Sequence, residues 1–498
     1  MAHKFRLEEV SKHDQHADRK WVISGSSVYD ITDFVDCHPG GKVILRACGG
    51  SIDPYWKLFS IHQKPEVRKV LEDFYIGDID EKDLKDDGSV DWSVIGLDAS
   101  AVDDPFKDDP ERCKDLNILT AKPCNAETPG RLLADFITPL RLFFVRNHLW
   151  VPKIDPEEHA LQIELSNGEE LSFSLEDLKK KFQHHSITVT LQCAGNRRSH
   201  MNNSSNGKTS GIAWDVGAIG TAEFTGVRLR DVLLASGYDV DKAAANATPS
   251  TSSSEEDSSS SSADRHIHLC APSDTYEQSI PLATALSPTS DVLLAWEMNS
   301  APLPRDHGGP LRAIVPGTIA TRSVKWLGKI RLSPDESDSN WHTRDYKLFG
   351  PEKRCAKDAS EQDWREAEAI HDCPVQSAIT SISPSNSPDS YAVSGFAYSG
   401  GGRRILRVDV SADGGKSWKA ASLRKDDEAK GSKRWAWTRW EIEMPRNEKG
   451  KAVEFVVKAT DESCNCQPEM FEGSWNFRGL LGNAWHRVKV GEEEGTAR

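Results

Sequence analysis

Apolar residues recur along this chain with two different periods, and the change of period marks out its organisation. Val67, Val70, Leu71 and Phe74 stand at i, i+3, i+4 and i+7, which predicts a helix with one apolar face. From about His371 onward the pattern switches to alternation. The runs YAVSGFAYSGGGRRILRVDVSADGGKSWKAASL and AVEFVVKATD alternate apolar with polar residues between Gly, Ser and Asp turns, so they predict the short strands of a β-sandwich. Ahead of Cys193, ITVTLQ reads as an apolar strand. No run of 18 apolar residues occurs, so no membrane-spanning helix is predicted, and no repeat of fixed period is present.

Two stretches lack any such period. Residues 78–112 hold 13 acids and 4 bases, a net −9, and predict an extended, self-repelling flexible linker. Residues 241–265 contain TPSTSSSEEDSSSSSAD, which cannot bury enough apolar surface to offset its ordering entropy and predicts a disordered surface insertion. The expected division is a unit over 1–77, the linker over 78–112, a large section over 113–360 carrying the insertion, and a tail over 371–498.

Composition refines this picture. At roughly 150 residues per domain, 498 residues suggest about three domains. Hydrophobic residues at 37% and charged residues at 28% are ordinary for a soluble enzyme with several cores. Lys plus Arg number 62 against 77 Asp plus Glu, a net charge of −15, which argues against a chain that coats nucleic acid or an anionic membrane. The linker and the insertion (net −3) together carry most of that charge, leaving −3 for the folded parts and room for a locally basic pocket. Ten cysteines with no CxxC pair suit a reducing or neutral compartment in which most thiols are buried. The opening MAHKFRLEEVSKHD has neither the apolar core of a signal peptide nor the acid-poor look of a transit peptide, which predicts a cytosolic protein or a shortened chain.

In the first unit, Cys37-His38-Pro39-Gly40-Gly41 places a histidine at the rim of a turn, and His62 follows 24 residues later amid large apolar side chains. Two neutral imidazoles closing on a haem from both faces leave no open position for dioxygen, which suits electron transfer. Either histidine alone reads more simply as a turn or surface residue. The string WVISGSSVYDITDFVDCHPGGKVIL, however, resembles the cytochrome b5 family over most of residues 1–77. That resemblance implies a b-type haem with His38 and His62 as its iron ligands.

In the middle section, Cys193 stands at a strand end before Gly195-Asn196-Arg197-Arg198. A thiol facing cations has a depressed pKa and makes a good metal ligand or nucleophile. A nucleophile would need a base such as His184 or His185, and neither has an evident orienting partner; a lone cysteine in an apolar strand is also commonly core filler. Arg146, His148, His307, Arg312, Arg322, Ser323 and Lys325 lie in otherwise apolar segments, which suggests convergence on a large anion. The residues alone lead to a soft ligand with anion-binding arginines and no further.

The segments FFVRNHLWVP, LQCAGNRR, WDVGAIGTAEFTGVRLRDVLL, LPRDHGGPLRAIVPGTIATRSVKWL and WNFRGLLGNAWHRVKV resemble the sulfite oxidase family of molybdenum enzymes over about Pro105–Val490. The fold that this implies is α+β and multidomain: a small cytochrome b5-like domain, a mixed α/β molybdopterin-binding domain, and a C-terminal immunoglobulin-like β-sandwich that dimerises. By resemblance Cys193 binds molybdenum beside a molybdopterin cofactor. Phe144, Arg146, Asn147, His148, Asp274, His307, Arg312, Arg322, Ser323 and Lys325 then contact the cofactor, while Arg146, Arg198, Trp214, Tyr346 and Arg478 build the substrate pocket. Such a pocket suits sulfite, a doubly charged oxyanion. The family resemblance also implies cytochrome c as electron acceptor, a homodimer, and the mitochondrial intermembrane space, with the cytoplasm as the alternative. Trp150 and Trp296 depart from the family pattern, with small expected effects. Assimilatory nitrate reductases share the molybdenum module, but they place the haem after it and add a flavin unit; the haem-first order and Arg478 favour sulfite. A non-catalytic haem carrier is the remaining alternative, opposed by the retained Cys193, Arg146, Tyr346 and Arg478.

Overall fold

A computed structural model of the chain describes residues 3–38, 40–59, 62, 65–96, 104–238, 264–272, 276–387, 389–424, 429–445 and 453–491. The Ser-rich insertion, apart from Asp264 and Arg265, lies outside the described residues, as do 97–103 of the expected linker. The chain divides into two compact units: residues 1–109 with 120–125 and 147–151, and residues 110–119, 126–146 and 152–498.

In the first unit Lys4–Phe5, Tyr75–Ile79, Ser27–Asp30 and Trp21–Ser24 form a four-stranded sheet in that order. The first pair runs parallel and the others antiparallel. Strand alternation sends neighbours to opposite faces. Ile23 and Val28 join Phe5, Leu7, Val10 and Ile79 on one side. Val22 and Tyr29 join Ile31, Val35, Ala47 and Ile52 on the other. The expected helix forms over Pro65–Glu72, opening on a proline whose missing N–H costs nothing there. Leu71 packs inward, but Val70 is exposed, so only part of the apolar face is used.

The flexible linker expected over 78–112 is not what the described residues form. Asp83 is fully buried and receives two 2.8 Å bonds from the Arg6 guanidinium and a 2.7 Å bond from the Leu7 N–H. Val90 joins the adjoining core, and Trp92–Ile95 makes a short helical turn. Asp104 pairs with Lys122, and Arg112 grips Asp306 through two bonds of 2.9 Å. A local count of charge misses this because Arg6, Lys122 and Asp306 sit far away in sequence.

The second unit holds two five-stranded sheets and a sandwich. His184–Gln192, Ile219–Arg228, Leu293–Met298 and Ala301–Pro302 lie in order, with Arg312–Ile314 pairing to Leu293–Met298. Glu277–Pro281, His266–Cys270, Lys329–Ser333, Ala160–Glu164 and Glu170–Ser174 form the other. Leu294, Ala313, Val227, Leu269 and Ile330 fill a core drawn from both sheets. Beyond residue 376 the predicted β-sandwich appears as two antiparallel four-stranded sheets. Val393, Trp440, Val408 and Val457, two from each sheet, meet between them. A further cluster mixes Ala194 and Tyr346 with Phe396, Trp437 and Leu480, so the sandwich and the middle section share a core.

The Asp83 pairing gives a stability test. The Arg6 guanidinium holds the Asp83 carboxyl below the ordinary carboxylate range. Its contribution is therefore present at neutral pH and lost as pH falls through that depressed value. Asp83→Asn is expected to cost about 1–3 kcal/mol in urea unfolding at pH 7. The penalty should shrink in acid; an unchanged midpoint at pH 7 would show that the pairing contributes nothing.

Candidate active site

The nine-residue strand His184–Gln192 delivers Cys193 at its end, where the Cys193 N–H donates to Ala218 O at 2.9 Å. The chain then turns sharply. Asn196 and Arg198 donate back to Cys193 and Gly195 carbonyls, and Arg197 adopts a left-handed φ of 63°. His184 and His185 begin the same strand, so they lie at the opposite end from the thiol. A cysteine–histidine nucleophilic pair built from them is thereby ruled out.

Around Cys193 the structure assembles most of the residues expected for a pocket. Arg198 is buried; its Nε donates to Arg478 O at 3.0 Å and its Nη1 to Ile212 O at 2.7 Å. Desolvation lowers its pKa to about 10, with opposing help from Cys193 and repulsion from Arg478 and Arg146. Tyr346 is buried, and desolvation raises its pKa, so the hydroxyl stays protonated at neutral pH; Arg146, Asp345 and Cys193 act on it as neighbouring charges. Arg478 is anchored by the Asp345 carboxylate. Trp214 is fully buried in the cluster that Cys193 packs against. The backbone opens space for the Arg198 guanidinium: a Cβ at Gly211 would lie 2.8 Å from Nη1, and one at Gly479 would lie 2.6 Å from Cγ.

A second cationic group lies along the chain from Asp306 to Lys325. Lys325 Nζ donates to Asp306 O at 2.9 Å and Arg146 O at 3.1 Å. Burial lowers its pKa to about 7. Arg312, also buried, donates to His307 O at 2.8 Å and Ser323 O at 2.7 Å, and burial lowers its pKa to about 9. The Ser323 hydroxyl accepts the Val315 N–H. Burial pulls His307 to about 4, leaving a neutral ring at pH 7. A cavity of about 670 Å³ opens here, lined by His307, Phe143, Arg112, Arg141 and Arg305 among others.

The other expected contacts are placed as follows. Arg322 is wholly buried, donating to Ile370 O, Gln278 and His342, so its guanidinium binds protein groups. Phe144 is buried in the core beside Phe143, and it is Phe143 that lines the cavity. Asn147 is buried and its N–H donates to Asn125 Oδ1 at 3.0 Å, and His148 beside it is half-buried. Asp274 lies outside the described residues. Sequence reasoning missed Asp345, the anchor of Arg478, although it directly precedes Tyr346 in RDYKLFG. It also missed Gly211 and Gly479, whose role shows only when two distant loops meet.

In the first unit, the His38 and His62 rings are nearly parallel, 11° apart, with centroids 6.2 Å apart. Two metal–nitrogen bonds of about 2 Å each and two ring radii of about 1 Å each span roughly 6 Å, so one metal ion fits between the rings. The His38 Nδ1–H donates to Gly41 O at 3.0 Å, which leaves Nε2 with a lone pair. His62 Nδ1 is buried and makes no hydrogen bond. Desolvation lowers both pKa values, that of His62 to about 4, so both rings are neutral at pH 7. Phe34, Trp56 and Phe59 enclose them. Phe59 also meets Phe106, which meets Trp150, and Arg46 covers the Trp150 ring.

Comparison with known proteins agrees with this double site. Residues 6–80 match the cytochrome b5-like heme/steroid binding domain, 148–341 the oxidoreductase molybdopterin binding domain, and 367–493 the Mo-co oxidoreductase dimerisation domain. The chain is 43% identical to the sulfite oxidase of Gallus gallus, over 97% of this chain and 99% of that one. It belongs to the sulfite oxidase family. The mitochondrial sulfite oxidase of Homo sapiens is 41% identical, over 98% of this chain and 84% of that one. Among solved structures, the sulfane dehydrogenase SoxCD of Paracoccus pantotrophus aligns with a TM-score of 0.60 at 23% identity, covering 82% of this chain and 97% of that one; this likeness is one of fold. As in this sulfite oxidase family, the cofactors are molybdenum–molybdopterin and a b-type haem.

The imidazole pair predicts a spectrum. Haem-loaded protein should show the sharp α and β bands of a six-coordinate, bis-imidazole iron on reduction. His62→Ala should lose them, and a variant that kept them would remove His62 from the iron.

Proposed function

We propose that the chain oxidises sulfite to sulfate and passes the two electrons, one at a time, through its haem to cytochrome c. The observation that carries this is the meeting of one thiol, Cys193, with Arg198, Arg146, Arg478 and a buried, protonated Tyr346. Among the described residues no group of three or more His, Cys, Asp or Glu is placed to hold a metal ion. A single thiolate from the chain fits a metal that arrives with sulfur ligands of its own.

When bound, the molybdenum–molybdopterin centre supplies oxygen-atom transfer to sulfite, and the haem supplies one-electron transfer. The residues of the chain do the rest. Cys193 as thiolate holds the metal. Arg312 and Lys325, both desolvated, offer positive charge to the pterin phosphate, with His307 and the Ser323 backbone beside them. Arg198, Arg146 and Arg478 neutralise the sulfite dianion in a site where burial strengthens each interaction. Arg198 is held by two carbonyls and Arg478 by Asp345, so both are oriented before substrate enters. The Tyr346 hydroxyl donates to a bound oxyanion and offers a route for a proton. Trp214, fully buried, keeps the wall of the pocket dry. His38 and His62 hold the haem iron.

The matched dimerisation domain supports a homodimer formed through the C-terminal sandwich. The relatives whose names place them in mitochondria support that location for this chain. No described helix is long and apolar enough to cross a membrane.

Sulfite-dependent reduction of cytochrome c by protein loaded with both cofactors tests the proposal. Wild type should turn over. Arg478→Gln should lose roughly 100-fold in kcat/KM, as expected when one preorganised donor is removed from a developing charge. Cys193→Ser should be inactive, and a fully active Cys193→Ser would overturn the assignment. Gly211→Ala, which brings a Cβ to 2.8 Å from the Arg198 Nη1 and strains a backbone held at φ 114°, should cost about 100-fold in kcat/KM together with some stability; unchanged kinetics would mean that Arg198 is not held in place by that glycine.

A further inference from the structure

Of the nine cysteines whose side chains are described three are buried, fewer than the expected majority, and three are exposed: Cys355, Cys464 and Cys466. The last two stand two residues apart, on the turn that follows the strand Val453–Asp461. We propose that Cys464 and Cys466 are a thiol–disulfide site, closing reversibly to an intrachain disulfide.

The geometry supports closure. The turn is pinned by Asp461, a fully buried carboxylate: Oδ1 accepts the N–H groups of Ser463 at 2.9 Å and Asn465 at 3.0 Å, and Oδ2 accepts Asn465 Nδ2 at 2.9 Å and Ser399 Oγ at 2.8 Å. The Cys464 N–H donates to Asp461 O, and the Asp461 N–H to Asn465 O, so residues 461–465 fold back on themselves. Cα atoms two residues apart are at most about 7 Å from each other. Disulfides need about 4.4–6.8 Å, a range within reach of residues at this spacing. Cys466 Sγ lies 3.7 Å from Cys464 O and 3.3 Å from Thr460 Oγ1, which draws it toward the turn. Cys464 sits at φ 60°, a left-handed conformation that a residue with a Cβ adopts only under local constraint. A small ring added to this turn is strained, and strained, exposed disulfides are the readily reduced, labile kind.

The oxidant is a small-molecule disulfide such as oxidised glutathione. The Cys464 thiolate attacks one sulfur of it and releases one thiol. The Cys466 thiolate then attacks the Cys464 sulfur of the mixed disulfide and releases the second thiol. Two protein thiols and one small disulfide thus become one protein disulfide and two small thiols, with two electrons passing to the glutathione.

The test uses the full chain with Cys355→Ser, which removes the other exposed thiol. After oxidised glutathione and then an alkylating reagent, the peptide holding Cys464 and Cys466 should be lighter by two hydrogens and carry no alkyl group. Dithiothreitol should restore both alkylation sites. Cys464→Ser and Cys466→Ser should each trap glutathione on the remaining thiol, which shows that both sulfurs are reachable. A peptide alkylated at both positions, or one holding glutathione in the otherwise unsubstituted pair, would overturn the proposal.

Discussion

Burial of positive charge is the constraint on which the second unit depends. Arg197, Arg198, Arg312, Arg322 and Lys325 are all desolvated strongly enough to lose part of their basicity. Taking a guanidinium out of water costs several kcal/mol unless its donors are met. Here they are met largely by backbone carbonyls: Ile212 and Arg478 for Arg198, His307 and Ser323 for Arg312, Ile370 for Arg322. A carbonyl satisfies a donor without cancelling its charge. The site thus keeps a positive potential that carboxylate partners would have quenched, and an anion completes it.

That choice of partner ties the domains together. Carbonyl acceptors come from wherever the backbone runs close, and several run in the C-terminal half. Arg197 reaches Ala484 O and Trp485 O, Arg322 reaches Ile370 O, and Arg198 reaches Arg478 O. The sandwich, which matches a dimerisation domain, therefore also shapes the middle section. Its loops supply both a pocket arginine and the acceptors that orient arginines of the middle section, and a mixed core with Ala194, Tyr346, Phe396 and Leu480 fixes that relation.

Much of this was legible in the sequence, and the rest was hidden for definable reasons. The alternation beyond His371 became two antiparallel sheets because strand periodicity survives wherever one face is buried. The motifs that hold Cys193, Arg198, Tyr346 and Arg478 single them out, and the structure brings these side chains near one another. A motif position says nothing about which way a long side chain turns, and the Arg322 donors go to Gln278, His342 and Ile370. The acidic stretch after Asp78 was misjudged for a related reason. Charge density is a local count, whereas Asp83 is paired across 77 residues and Arg112 across 194. Gly211 and Gly479 carried no signal, since the need for a missing Cβ exists only where their loops meet at Arg198.

The same desolvation acts with opposite chemical results in the two units. On His38 and His62 it removes the proton, which is what an iron ligand requires, because only the neutral ring has a lone pair to give. On Arg198 and Arg312 it lowers the pKa to about 10 and about 9, still far enough above neutrality that the charge survives. The choice of residue type therefore decides the function of a dry site. Imidazole, with an ordinary pKa near the working pH, becomes a neutral donor, while guanidinium has several units in reserve and remains a cation. Lysine lies between: Lys325, brought to about 7 by burial, is only partly protonated at neutral pH, and an anion beside it would raise that fraction. Its charge is thus sensitive to its surroundings near neutral pH, as an arginine's at that position would not be.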